Sequence, residues 1–273
     1  MNRFIAAVVQ MDSQDSVGKN LDTAAALVEE AARRGARLVA LPEGMHYLGR
    51  DPAGHAEEIP GGPTFRRMSQ LAREHGLWLH CGSIYERTPE DPRPFNTTMV
   101  INPQGELAAR YRKLHPFDVV IPNGPEHRES RQVCPGREIV TVDTGEVGKL
   151  GLAICYDLRF GELFRLMALE GAQILLEPAN FTMPTGKDHW EVLLRARAIE
   201  NGCYVLAPAQ CGQKPDFQAY GNAMIVDPWG TVIARASDRT QVVTAEIDLD
   251  YVAQVRRQLF TLENRREDVY SLR

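Results

Sequence analysis

The chain has 273 residues, 44% of them hydrophobic and 25% charged, with a formal net charge of −5 and a pI of about 5.8. This is the composition of an ordinary soluble globular protein, and its interleaved acidic and basic residues argue against nucleic acid or an anionic membrane as partner. No apolar run approaches the ~20 residues of a membrane span, and the start MNRFIAAVVQMDSQD lacks the pattern of a signal peptide.

Residues 4–10 are apolar almost throughout and read as a first strand. Residues 20–34 carry Leu21, Ala24, Ala25, Val28, Ala31 and Ala32 at helical spacing, with Gly35 as a stop signal. A second strand, 37–41, runs into Pro42-Glu43-Gly44. Residues 64–75 repeat the helical pattern through Phe65, Met68, Leu71 and Ala72, Gly76 ends it, and 77–85 follow as a third strand. A hairpin of 96–101 and 106–112 turns about Asn102-Pro103-Gln104-Gly105 and delivers Lys113. Residues 115–136, rich in proline and scattered charge, form a long loop of the kind that is usually functional or mobile.

In the second half an apolar run (Leu150, Leu152, Ala153, Ile154) stops at Cys155. Tyr156-Asp157 follows, and then Phe160, Leu163, Phe164 and Met167 recur as on a helix, so the stretch reads as strand, sharp turn, helix. A strand at 173–176, a loop and a helix at 187–200 come next. Strands at 203–208, 223–226, 231–236 and 241–247 follow, with a turn at Asp227-Pro228-Trp229-Gly230 and a closing helix at 249–259. Strands alternating with helices and interrupted by hairpins imply an α/β fold with mixed sheets. Two halves, each with two helices against a sheet, imply a four-layer α-β-β-α sandwich. No linker or composition shift divides the chain, so residues 1–273 read as one domain.

Glu43, Lys113 and Cys155 each stand where an apolar strand finishes, and in α/β sheets ligands bind beyond the carboxyl ends of strands. A sulfur at such an end, near the start of a helix, has backbone N–H groups that favour a thiolate and a developing oxyanion. The competing reading takes Cys155 as a buried small hydrophobe and Glu43 and Lys113 as solvated strand caps. The five cysteines, at 81, 134, 155, 203 and 211, show no CxxC pair or zinc spacing. Their odd number fits free thiols in a reducing cytosol.

LPEG around Glu43, YRKLHPFD around Lys113 and GLAICYDLRF around Cys155 together resemble the nitrilase-like carbon–nitrogen hydrolases with their Glu-Lys-Cys triad. The run HWEVLLRARAIENGCYVLAPAQCG and the later YGNAMIVDPWGTVIA resemble the branch that contains deaminated glutathione amidases. The resemblance spans nearly the whole chain. It implies Glu129, in HRESRQVCPG, as a second glutamate supporting the lysine, with Glu126 close enough to be confused with it. It also implies a homo-oligomer, a dimer or a multiple of dimers, in which helices of two sandwiches pack together.

The chemistry implied is amide hydrolysis. Free cysteine is only a few per cent thiolate at neutral pH, so Glu43 takes the thiol proton as Cys155 attacks and passes it to departing ammonia. Lys113 and the backbone N–H of Tyr156 hold the oxyanion, and water cleaves the thioester. No metal or cofactor is called for. The expected substrate is a small carboxylate-bearing amide, with deaminated glutathione among the candidates and a cytoplasmic setting. Arg159 matches an arginine that binds a substrate carboxylate in some carbamoyl-cleaving relatives, against the alternative of a salt bridge to Glu162 or Asp157. Asn180, Phe181 and Thr182 correspond to a pocket loop, and Phe117 to a wall.

Four alternatives stand beside this reading. An N-carbamoyl amidase or an ω-amidase would use the same triad. A Cys-His pair drawn from His46, His80, His115, His127 or His189 would survive Glu43→Gln. A non-catalytic binding protein would carry a relic site. Against the nearest branch, Gly161 replaces a usual proline, Glu177 an uncharged residue, and GMHYLG after Glu43 an aromatic-acidic run. These departures lie near the expected pocket and bear on substrate rather than on reaction.

Overall fold

The structure, a computed structural model, describes residues 2–120 and 126–272. In chain order the first half comprises β1 (Arg3–Met11), α1 (Val17–Arg33), β2 (Ala36–Ala40), α2 (Pro63–His75), β3 (Trp78–His80), β4 (Ile84–Glu86), β5 (Phe95–Ile101) and β6 (Leu107–Arg112). A small ribbon of β7 (Asp118–Val120) and β8 (Glu126–Arg128) leads to β9 (Thr141–Asp143), β10 (Lys149–Leu152), α3 (Gly161–Leu169) and β11 (Ile174–Leu176). A helical turn, α4 (Met183–Thr185), precedes α5 (Glu191–Asn201), β12 (Tyr204–Ala207), β13 (Ala209–Gln213) and β14 (Gln218–Tyr220). The chain closes with β15 (Met224–Val226), β16 (Val232–Arg235), β17 (Gln241–Asp248) and α6 (Leu249–Leu259).

One sheet runs β14-β13-β1-β2-β3-β5-β4, with β17 also on β1 and β6 on β5; the other runs β16-β15-β12-β11-β10-β9. In the first sheet four strands, β13-β1-β2-β3, are parallel, in the second three, β10-β11-β12, and antiparallel strands complete both. Both sheets are therefore mixed, and the four-layer expectation holds.

The layering follows from side-chain alternation along the strands. In the first sheet Ala6, Val8, Leu38, Ala40, Trp78 and Val100 join the core shared with the second sheet. Their neighbours Ala7, Val9, Val39, Leu79, Met99 and Ile101 pack with Leu21, Val28, Met68 and Leu71 of α1 and α2. With both faces covered, these strands read as continuous apolar runs. The second sheet is covered on its outer face by α3 and α5. A Cβ on Gly151 would lie 2.9 Å from the Met167 sulfur and 3.1 Å from a Leu175 methyl, so glycine sets how closely α3 approaches.

Several boundaries differ from the sequence expectation. α1 begins at Val17 behind the extended cap Ser16, because its first turn is polar and lies ahead of the apolar spacing. The expected strand 77–85 is split, since Gly82 at φ 56° bends the chain between β3 and β4. The long loop carries the β7–β8 ribbon and a 3-10 turn, Glu129–Arg131. The expected helix 187–200 starts as a π-turn, Gly186–Trp190. β9, β13 and β14 were not legible, being short and without a sustained apolar alternation. Among the described residues no helix is long and apolar enough to cross a membrane.

Candidate active site

Glu43 lies just beyond β2, pinned on both flanks. The Leu41 N–H donates to the His80 carbonyl at 2.9 Å, and the Gly44 N–H to Ser83 Oγ at 3.0 Å. Buried Gln210 donates Nε2 to the Glu43 carbonyl at 2.9 Å. Gly82 permits this approach, since a Cβ there would meet the Pro42 carbonyl oxygen at 2.0 Å.

Lys113 directly follows β6. Its N–H donates to the Asn96 carbonyl at 2.9 Å, and its own carbonyl accepts from Gly136 at 2.7 Å. Its Nζ, buried, donates to Glu43 Oε1 at 3.0 Å and to Glu129 Oε2 at 2.9 Å. Glu129 Oε2 also accepts the Phe117 N–H at 2.5 Å. Asn96 Nδ2 joins the two carboxylates, at 3.0 Å from Glu43 Oε1 and 3.4 Å from Glu129 Oε1. The loop thus brings Glu129 to the lysine. Glu126 falls on β8, and its side chain lies outside the described residues.

Cys155 is buried, at φ 53°, in the left-handed region that residues with a Cβ seldom occupy. The bend is held from two sides. The Cys155 N–H donates to the Pro178 carbonyl at 3.0 Å, and the Ile154 N–H donates to Asp157 Oδ2 at 2.9 Å. Asp157, without exposed surface, also accepts from Tyr111 OH at 2.7 Å and from the His115 N–H at 3.1 Å, and it lies 2.7 Å from His115 Nδ1. One carboxylate therefore ties the end of β6 in the first sheet to the bend after β10 in the second.

The Cys155 thiol faces the Glu43 carboxylate, whose charge acts on it, and the Asn180 N–H donates to Glu43 Oε2 at 2.9 Å. Ammonium and thiol thus face one carboxylate, that of Glu43. Burial, and after it the Glu43 charge, push the thiol well above its ordinary range, with Lys113 opposing. The thiolate expected from the helix start is accordingly not the resting form, because desolvation and a facing carboxylate outweigh backbone dipoles. Burial alone would lower Lys113, but Glu129 and Glu43 hold the ammonium charged well above its usual range. Burial likewise disfavours the Glu129 carboxylate, and Lys113 more than reverses this, leaving it below the usual value.

The expected binding residues separate into those at the triad and those beyond it. Asn180 touches it through its backbone. Tyr156 directly follows Cys155, with its ring edge-on to Phe117 at 5.1 Å and to Phe160 at 5.5 Å. Phe181 packs on Trp190 at 4.9 Å, with the Arg159 guanidinium 5.6 Å from its ring centre. Thr182 Oγ1 lies 2.9 Å from Thr185 Oγ1 and is not brought to the triad. The salt-bridge alternative for Arg159 fails. Asp157 is engaged elsewhere, and among the described residues Arg159 forms no ion pair; its guanidinium lies 3.4 Å from His189 Nδ1. His115 turns to Asp157. Among the described residues no group of three or more His, Cys, Asp or Glu is arranged to hold a metal. Asn96, Asp157, Tyr111 and Gln210 escaped the sequence reading. The Asp two residues after Cys155 was the one signal available, since a carboxylate in the first turn can cap the bend before it.

The sequence matches the family described as carbon-nitrogen hydrolase over residues 5–257. A deaminated glutathione amidase from Homo sapiens is 45% identical, over 97% of this chain and 83% of its own. An omega-amidase NIT2 from Xenopus tropicalis is 40% identical, over 100% of this chain and 98% of its own. The crystal structure of the Caenorhabditis elegans NitFhit protein superposes with a TM-score of 0.92 at 41% identity, covering 99% of this chain and 66% of that one.

Proposed function

This chain belongs to the carbon–nitrogen hydrolase family and is an amidase, and we propose that it acts through a thioester on Cys155 upon a small carboxylate-bearing amide. The observation that carries the assignment is the single carboxylate, Glu43, shared by the Cys155 thiol and Lys113 Nζ. Because the thiol is protonated at rest, proton transfer to Glu43 accompanies attack of sulfur on the carbonyl carbon. The oxyanion that forms is held by Lys113 and by the Tyr156 N–H, which lies in a first helical turn where N–H groups lack intrahelical partners. One such donor is typically worth ~10²–10³ in rate. Collapse of the tetrahedral species breaks the C–N bond, and Glu43 returns the proton to the departing ammonia or amine. Water, deprotonated by Glu43, then cleaves the thioester to the acid and restores the thiol. Glu129 acts on Lys113, keeping it charged and in place.

The substrate is drawn from the relatives. A deaminated glutathione and an ω-amide of a keto acid both carry a carboxylate, and Arg159, without an acid partner among the described residues, is the group assigned to receive it. The Xenopus relative favours the ω-amide as a second reading. Ammonia without carbon dioxide marks the ω-amide, whereas ammonia together with carbon dioxide would mark a carbamoyl substrate. We read residues 1–273 as one hydrolase domain, cytoplasmic and without a cofactor. We also read it as a homo-oligomer built on a dimer; the exposure of Val192 and Ile199 on α5 and of Leu169 on α3 supports that assembly.

Mass spectrometry of protein quenched during turnover of an ω-amide should show an acyl adduct on the peptide containing Cys155. Cys155→Ala should lose both adduct and activity. Full activity in that variant would reject the mechanism. Glu43→Gln should lose activity to a similar extent, whereas a Cys-His enzyme would retain most of it.

A further inference from the structure

We propose that His189 is a positioning residue, which holds the Arg159 guanidinium beside the nucleophile as the receptor for the substrate's carboxylate. The proposal rests on the assignment of Arg159 made above and adds the group that orients it.

Arg159 is a half-buried cation set between aromatic faces, 5.8 Å from the ring centre of Tyr156 and 5.6 Å from that of Phe181. Tyr156 follows the nucleophile and Phe181 follows Asn180, so the guanidinium stands over the two stretches that meet at Cys155. Such a cation ordinarily takes a carboxylate. Among the described residues none supplies one.

His189 Nδ1 instead receives both terminal nitrogens, Nη1 and Nη2, each at 3.4 Å. A nitrogen approached by two donors is the unprotonated one, so the ring proton sits on Nε2. The distances are long, as a contact shared between two donors requires. This approach uses the end-on fork of the guanidinium. The side edge, formed by Nε and one Nη, stays available, and it is an edge that grips a carboxylate through two parallel bonds.

The imidazole is itself placed by a rigid device. His189 lies in the π-turn Gly186–Trp190, a helical irregularity often found at functional sites. At one end the Gly186 N–H donates to the Thr182 carbonyl at 2.7 Å, and a Cβ on Gly186 would strike the Tyr220 ring at 2.4 Å, so only glycine fits. At the other end Trp190 is buried, with its Nε1 donating to the Asn222 carbonyl at 2.9 Å. Between these anchors His189 is exposed, and among the described residues its ring's only hydrogen-bond contacts are those with Arg159. An exposed side chain fixed by its turn onto an unpaired cation fits an orienting role better than a packing one. Thr182, which does not reach the triad, thereby acquires a place as the anchor of this turn.

Steady-state kinetics of the intact enzyme with glutaramate and with pentanamide, amides of equal chain length with and without a carboxylate, test the assignment. His189→Ala should raise KM for glutaramate about tenfold, equivalent to roughly 1.4 kcal/mol, with kcat within about twofold and pentanamide kinetics unchanged. His189→Asn, whose Oδ1 can stand where Nδ1 stands, should restore most of the affinity. Adding His189→Ala to Arg159→Ala should cost nothing further. Equal KM increases for both amides, or an Asn variant as impaired as Ala, would overturn the proposal while leaving the Arg159 assignment intact. An Arg159→Ala variant that loses nothing specific to glutaramate would overturn the Arg159 assignment itself, and this proposal with it.

Discussion

Glu177 follows β11, has no exposed surface, and makes no hydrogen bond through either carboxyl oxygen among the described residues. Burial, then the charges of Asp157 and Glu43, push it well above the usual carboxylate range, so the fold favours its neutral form. In the unfolded chain the same group ionises near ~4.3. Its contribution to stability is therefore fully present below that value and is lost as pH rises towards the folded pKa. Glu177→Gln, which mimics the neutral acid, should be the more stable protein above about pH 5, the gap widening by roughly 1.4 kcal/mol per pH unit. Urea denaturation of both proteins at several pH values checks this, and parallel profiles would contradict it. Glu129 behaves in the opposite sense. Paired with Lys113 and held below its usual range, it adds stability that is lost as pH falls through its folded pKa.

At the level of elements, two glycines show what places the lysine. Gly136 closes the long loop against β6, where a Cβ would lie 2.1 Å from the Arg112 carbonyl oxygen. That contact is with backbone, so relief requires the strand end carrying Lys113 to move. Gly136→Ala should destabilise the protein by about 1–3 kcal/mol. It should also lower kcat by roughly 10²-fold, the cost of a misplacement of order 1 Å. Gly145, in a turn at φ 67° with nothing within 4 Å of an added Cβ, is the control. Gly145→Ala should show about 1–2 kcal/mol of backbone strain with kcat unchanged. Thermal denaturation and initial rates of the pair separate strain at a turn from displacement of the site. The same logic explains why 77–85 was not one strand. Its alternation satisfied a strand, but the chain must bend at Gly82 to let Ser83 reach Gly44 beside Glu43.

For the molecule as a whole, the acid limit is set by buried histidines outside the triad. Burial, the largest cause in each case, lowers His46 from 6.5 to about 4 and His80 from 6.5 to about 3. Both stay neutral in the fold while the unfolded chain takes up protons below pH 6.5, so stability present above that pH is lost as it falls towards the folded values. Each pH unit across the window costs about 1.4 kcal/mol per group, against a total stability of roughly 5–15 kcal/mol. Circular dichroism should therefore show cooperative acid unfolding between about pH 5 and 3; a fold intact at pH 3 would refute it. The proposed dimer is tested separately. Val192→Glu, on the exposed face of α5, should shift the sedimentation of a dimer towards the monomer without altering the pH profile of catalysis.

The sequence by itself determined the alternation of strands and helices, the four layers, and the positions of Glu43, Lys113 and Cys155 at strand ends. These are written in local periodicity, because a residue's burial within an element depends on its immediate neighbours in the chain. Only the tertiary structure decided that Glu43 meets Lys113 across 70 residues and Asn180 across 137. It alone showed that Asn96 and Asp157 tie the parts together, and that Arg159 faces His189 rather than an acid. The resting thiol belongs to the same class. Its proton is kept by burial and by a carboxylate from the other sheet, and neither exists until register and loop path have brought distant segments together.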